Sequence, residues 1–155
     1  VTMANIPCIV NQTGPLYVHP EGIVKRTHFH TMAMYANLLK EHVAKTQVKS
    51  DRLTHGKSSV AMVDAIATVD ESGKKWAIAM MNRHPSKEVS CTLKMGELLV
   101  DGIYEATVLT ADSPDAYNDI ENPNRVMPKK IVLTFKEGIT SLPPHSLVIV
   151  DVLIE

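Results

Sequence analysis

Runs of alternating apolar residues at 59–69, 74–82, 88–94, 102–111, 130–136 and 146–154 follow one another along the chain. Val, Ile and Thr are frequent in them, and side chains two apart share a face, so each run reads as a half-buried strand. Turn chemistry separates the runs. Asp70-Glu71-Ser72-Gly73 is a hairpin-type connection, Pro85 cannot donate to a ladder, and Asp101-Gly102 and Glu137-Gly138 punctuate two further boundaries. Short strands with tight turns and little helical periodicity predict an all-β fold, an antiparallel β-sandwich or barrel.

Residues 1–45 read differently. Phe29, Met32, Tyr35, Ala36, Leu39 and Val43 recur at spacings of three and four, which predicts an amphipathic helix over 31–43 with Lys40 and Glu41 on its outer side. A short strand is expected at 22–28. The segment 3–10 is apolar but broken by Pro7, and its state is left open between a helix end and a strand. One strand and one helix do not complete a parallel sheet, so further structure is expected upstream. Val1-Thr2-Met3-Ala4 has no basic region followed by an apolar stretch, which fits the middle of a protein. Residues 112–128 carry Pro114, Asp115, Asn118, Asp119, Asn122, Pro123, Asn124 and Pro128, and predict a long ordered loop.

Composition narrows the function. At 155 residues the chain is one domain in size and can bury about two-thirds of its unfolded surface. Hydrophobic residues at 45% and charged residues at 21% exclude a disordered chain. No apolar run approaches the ~20 residues of a membrane helix, so no membrane partner is expected. The net charge is −1 and the 16 basic residues are scattered, which argues against nucleic acid. Cys8 and Cys91 read as free thiols of a reducing compartment, so a cytoplasmic location is expected. The seven glycines form neither Gly-x-Gly-x-x-Gly nor a Walker loop, and no cofactor is expected.

Gly22-x5-His28-x-His30 matches the opening of a cupin metal motif, because alternate residues of a strand face one way. The match then fails: Met34 and Tyr35 stand where a glutamate is needed, and Glu41 comes too late. Capping or packing at a strand-to-helix junction is the plainer reading of the pair. His19, His42, His55, His84 and His145 are dispersed and read as turn and surface positions. Gly-x-Ser-x-Gly is absent, and both cysteines lie in apolar contexts, so nucleophilic catalysis has no support. Asp112, Asp115, Asp119 and Glu121 with Asn118, Asn122 and Asn124 fit either calcium ligation or Asx-turns that hold the loop by its own backbone. Trp76, Tyr104 and Tyr117 are too few for the stacking platforms of a sugar-binding module and read as core.

Several stretches together resemble the C-terminal portion of α-L-arabinofuranosidases of glycoside hydrolase family 51. They are Thr27-His28-Phe29-His30 leading to Met34-Tyr35, Val63-Asp64-Ala65, Trp76-Ala77-Ile78-Ala79 with Asn82-Arg83, the segment from Asp119 to Val126, and Leu142-Pro143-Pro144-His145-Ser146. The resemblance implies a (β/α)8 catalytic barrel followed by a jelly-roll-like sandwich that also takes a strand from the enzyme's N-terminus. On it, residues 1–45 are the remnant of the last barrel unit, with 23–28 near its strand and 31–43 its helix, and 46–155 are the sandwich. The family's acid/base glutamate follows an asparagine, and no Asn-Glu pair occurs here; its nucleophile also lies upstream, so no catalytic residue is expected. Arg26, with Lys25 beside it, stands near a substrate-contacting position where relatives commonly have glutamine. The expected partner is the missing barrel, with arabinose-containing saccharide met only through the parent enzyme. The apolar face of Met32, Tyr35, Leu39 and Val43 is expected to fold back on the sandwich or to pair with a second copy. The competing readings are a stand-alone carbohydrate-binding module and a cupin-like metal site at His28 and His30.

Overall fold

A computed structural model describes residues 8–154. A hairpin, β1 (Leu16–His19) and β2 (Gly22–Lys25), leads into the helix α1 (Thr27–Leu38). The strands β3 (His42–Ala44), β6 (Val63–Val69), β7 (Lys75–Asn82), β11 (Gly102–Leu109), β12 (Lys129–Phe135) and β14 (Ser146–Leu153) form one antiparallel sheet in the order β12-β11-β14-β7-β6-β3. A smaller layer pairs β8 (Val89–Thr92) with β13 (Ile139–Leu142) and β9 (Lys94–Met95) with β10 (Leu98–Leu99). The hairpin β4 (Arg52–His55) and β5 (Ser58–Ala61) stands apart.

Alternation along the strands sorts their side chains onto two faces of the large sheet. Ile78, Met80, Val148, Val150, Val108 and Phe135 face the smaller layer and pack with Leu142, Val89 and Leu93. Ala77, Ala79, Leu147, Ile149 and Leu109 face the other way, where α1 covers them with Met34, Tyr35 and Leu38. Each large aliphatic side chain fully buried here contributes about 1.5–3 kcal/mol. The molecule is thus an antiparallel β-sandwich with a helix laid on the outer face of its large sheet. The helix does fold back on the sandwich, with Tyr35 and Leu39 half-buried against that face.

Four local expectations need correction. The helix covers Thr27–Leu38 and not 31–43, and Leu39 is already extended at ψ 157. Lys40 instead donates its amide to the Thr68 hydroxyl oxygen (2.9 Å) and pairs its ammonium with Asp151 (2.9 Å), while His42–Ala44 pairs with the edge of β6. A ladder with β6 outcompetes continued helix, and Val43, expected on the apolar helix face, ends up 72% exposed. The strand expected at 22–28 stops at Lys25 and pairs with β1 as a local hairpin, so His28 and His30 lie in α1. The run 59–69 breaks at Met62, because β5 turns to pair with β4, a strand the pattern did not reveal. The run 88–94 breaks at Leu93. Val1-Thr2-Met3-Ala4 and most of the segment 3–10 lie outside the described residues.

Candidate domain-docking surface

The end of the molecule where β2 enters α1 is organised by backbone-seeking side chains. Arg26 precedes the helix without capping it, and its Nη1 donates to the carbonyls of Gln12 and Gly14 (3.1 Å to the latter). Its guanidinium lies 5.1 Å above the Tyr17 ring, and Lys25 stands 5.2 Å over Phe29. Arg26 therefore ties the 12–14 turn to the hairpin. Asn118, buried in the 112–128 loop, donates from Nδ2 to the carbonyl of Lys25 (2.8 Å) and anchors the same end from the other side.

His28 and His30 do not share a face. On a helix, residues two apart point about 200° from each other, so the cupin-like pair of the sequence reading is not formed. No group of three or more His, Cys, Asp or Glu comes together among the described residues. His30 points inward, edge-on to Phe29 (5.6 Å), and burial, aided by the Lys25 charge, lowers its pKa below the usual 6.5. Its Nε2, with His28 Nε2 and Thr27 Oγ1, is buried without a hydrogen-bond partner among the described residues.

The acidic loop is held by its own bonds. Asp119 accepts the Asn122 amide (2.6 Å), Ser113 Oγ accepts the Asp115 amide (3.2 Å), and Asp112 pairs with Arg125 (3.1 Å). Arg125 holds the Asp112 carboxyl below the usual carboxylate range. These are the Asx-type contacts that compete with a calcium reading. The aromatic residues are likewise separated: Trp76 donates to Gly73 (3.0 Å), Tyr104 packs edge-on to Phe135 (5.8 Å), and Tyr117 stands exposed.

A groove of about 1260 Å³ opens between the segment 44–51 and β8–β9. Ala65, Ala67, Trp76, Ile78 and Met80 line it from the large sheet, and Val89, Cys91 and Leu93 from the smaller layer. Burial pushes the Cys91 thiol pKa up, which disfavours the thiolate form there. Along β6, the amides of Val63, Ala65 and Ala67 are taken by side-chain oxygens of Ser50 (2.8 Å), Asp64 (3.0 Å) and Thr46 (3.1 Å). That edge is closed to a further strand. The edge of β8 facing away from β13 has no strand partner among the described residues.

At the end of the large sheet where β7 finishes and β14 begins, Asn82 is buried and donates to the carbonyls of Lys87 (2.9 Å), Leu142 (3.2 Å) and Pro143 (2.8 Å). Beside it, Arg83 pairs with Asp64 (2.8 Å) and donates to Ala61 (3.0 Å). His145 bonds two segments there, the 84–85 turn and Ala111. Sequence reasoning gave Asn82, Asn118 and His145 no such roles. The available signal was an asparagine closing an apolar strand run and another inside a loop dense in turn formers.

A sequence profile described as the α-L-arabinofuranosidase C-terminal domain matches residues 1–146. No curated protein matches the chain. Among solved structures, a thermostable GH51 α-L-arabinofuranosidase from Thermotoga petrophila RKU-1 superposes with a TM-score of 0.81 at 24% identity, over 93% of this chain and 32% of that one. A GH51 arabinofuranosidase from Xanthomonas axonopodis pv. citri gives 0.81 at 24% identity, over 98% and 31% respectively. An α-L-arabinofuranosidase from Thermotoga maritima, in an arabinose complex, gives 0.79 at 23% identity, over 94% and 32%. These likenesses establish a shared fold, and the chain spans about a third of the length of each enzyme.

Proposed function

We infer, from a chain that belongs to the α-L-arabinofuranosidase C-terminal domain family, that it serves as the accessory β-sandwich of an arabinofuranosidase and supplies packing surface, not catalytic carboxylates. The carrying observation is the profile match over residues 1–146, and the fold it shares with about a third of each larger enzyme supports it. The parent reaction on this reading is retaining hydrolysis of terminal α-L-arabinofuranosyl residues, with both glutamates on the barrel. A division near residue 45 belongs to the same proposal: β1, β2 and α1 close the barrel, while β3, which precedes that boundary, already pairs with β6 and joins the later strands in the sandwich. Packing of α1 on Ala77, Ala79 and Ile149 then makes one rigid connection between the two units.

The groove receives the strand that family resemblance assigns to the enzyme's N-terminal part. Its apolar floor, the edge of β8 that has no strand partner among the described residues and the closed edge of β6 support that placement. Hydrogen exchange provides a test: β8 amides are protected in the intact enzyme and exchange faster in this chain alone, and equal rates reject the docking. A homo-oligomer through 31–43 has exposed Met32 as its apolar contact. A cytoplasmic location rests on two cysteines that are not joined to each other.

Arg26 is proposed to hold the 12–14 turn so that this edge can meet substrate in the intact enzyme. There Arg26→Ala raises KM or lowers kcat, and unchanged kinetics reject the contact. The central test is hydrolysis of a chromogenic α-L-arabinofuranoside. The intact enzyme turns it over and this chain alone does not; turnover by the chain alone overturns the accessory-domain reading.

A further inference from the structure

We propose that Tyr117 is a substrate-binding residue of the intact enzyme, which stacks on the sugar that carries the terminal arabinofuranosyl unit and so sets which saccharides are good substrates. The inference rests on the accessory-domain reading and on Arg26 lying at the substrate edge.

Tyr117 is the one aromatic side chain that stands exposed among the described residues, at 61%. A single exposed aromatic is ordinary in itself. What sets this one apart is how its backbone is held. Asn118, the next residue, is buried and bonds both backbone groups of Val126 (2.7 and 2.9 Å) as well as the Lys25 carbonyl (2.8 Å). Ala116, the residue before, donates its amide to Ser113 O (3.1 Å) and packs with Leu109 and Val126 in the cluster under α1. The pairing of Asp112 with Arg125 and the bond from the Asn122 amide to Asp119 fix the loop further out. A ligand of Tyr117 therefore meets a loop that is already ordered and has little entropy left to lose.

The same anchor fixes where the ring stands. Lys25 immediately precedes Arg26, so one side chain, one hydrogen bond and two peptide links keep the Cα atoms of Tyr117 and Arg26 within about 13 Å of each other. That is the span of a short oligosaccharide. A cleft of about 350 Å3 is lined from α1 by Thr27, the neighbour of Arg26, and from the loop by Ser113, Pro114 and Ala116, the neighbour of Tyr117. A sugar ring offers a face of C–H groups and a rim of hydroxyls. A phenol takes the face by dispersion and one rim hydroxyl through its own O–H, and exposed Asp115 supplies a further acceptor on the loop. With both glutamates on the barrel, a contact from the sandwich falls on the leaving-group side of the scissile bond.

Initial-rate kinetics of the intact enzyme test this on methyl α-L-arabinofuranoside, linear arabinotriose and a xylotriose with one α-L-arabinofuranosyl branch. The first has only a methyl leaving group, and the other two distinguish an arabinose backbone from a xylose one. In Tyr117→Ala the ratio of kcat/KM for an oligosaccharide to that for the methyl glycoside is expected to fall about tenfold for at least one backbone, mainly through KM. Tyr117→Phe keeps the ring and is expected to retain most of the ratio. Ratios that Tyr117→Ala leaves within about twofold of wild type for both backbones overturn the proposal, whether the activities are retained or fall together as a purely structural role would have it. A wild-type enzyme inactive on all three substrates overturns the accessory-domain reading itself, and the proposal with it.

Discussion

Asn118 binds Val126 as one strand binds another: its Oδ1 accepts the Val126 amide at 2.7 Å, and its Nδ2 donates to the Val126 carbonyl at 2.9 Å. The second Nδ2 proton goes to Lys25 O at 2.8 Å. One buried amide side chain thus closes the 118–126 loop and joins it to the residue pair that opens α1. Its three partners are all backbone, so any change of side chain is felt there.

Asn118→Ala therefore leaves the buried amide and carbonyl of Val126 without partners and releases the half-buried contact to the Lys25 carbonyl. The expected loss is on the order of 2–4 kcal/mol in chemical denaturation, from net bond losses of about 1 kcal/mol each plus desolvation of the orphaned groups. Asn118→Asp keeps the acceptor but sets a carboxylate against two carbonyls, and is expected to be no better. A loss within about 0.5 kcal/mol for both rejects the anchor.

Gly138 sits in the turn before β13 with φ +80, and a Cβ there would lie 2.8 Å from Leu99 Cδ2 and 3.0 Å from the Leu93 carbonyl. Gly138→Ala combines left-handed strain with a backbone contact that cannot yield. A destabilisation of about 1–3 kcal/mol is expected by urea unfolding. Gly56→Ala is the comparison, since its φ of +57 carries the same strain but nothing lies near its Cβ.

His30 makes the fold sensitive to acid. Its folded-state pKa is lowered by burial and then by Lys25, so the neutral ring is the native form. Its contribution is complete above the ordinary value of 6.5 and is lost as pH falls through the lowered value. His30→Leu is expected to flatten stability against pH below 6.5. Wild-type and variant curves that fall in parallel there count against this assignment.

Asp64 titrates with the same sign at lower pH. The hydrogen bond from Arg83 holds its carboxyl below 3.8, so the pairing acts above that value and is lost as pH falls through the depressed one. Asp64 is 55% exposed, and solvent screening limits the pair to about 1 kcal/mol or less. Asp64→Asn is expected to cost no more than that by thermal unfolding at neutral pH, with the difference from wild type vanishing in strong acid. A difference that persists there points to packing and not to charge.

By itself the sequence determined the all-β class, most of the long strands and the loop at 112–128. Those features are written in neighbouring residues: alternation of Val, Ile and Thr sets the face of a strand, and Asp, Asn and Pro set the loop. Residues 39–43 show the limit, because their spacing continues the helical pattern while the free edge of β6 takes His42–Ala44 into a ladder. Met62 breaks the run 59–69 for a like reason, since β5 pairs with β4. Tertiary structure alone decided that Asn82 holds Leu142, 60 residues away, and that Asn118 holds Lys25, 93 residues away. It also decided that the His145 ring lies between Pro85 and Ala111. Bonds of that separation leave no periodic trace in the chain, because their geometry exists only once the sheet has brought its loops to one end.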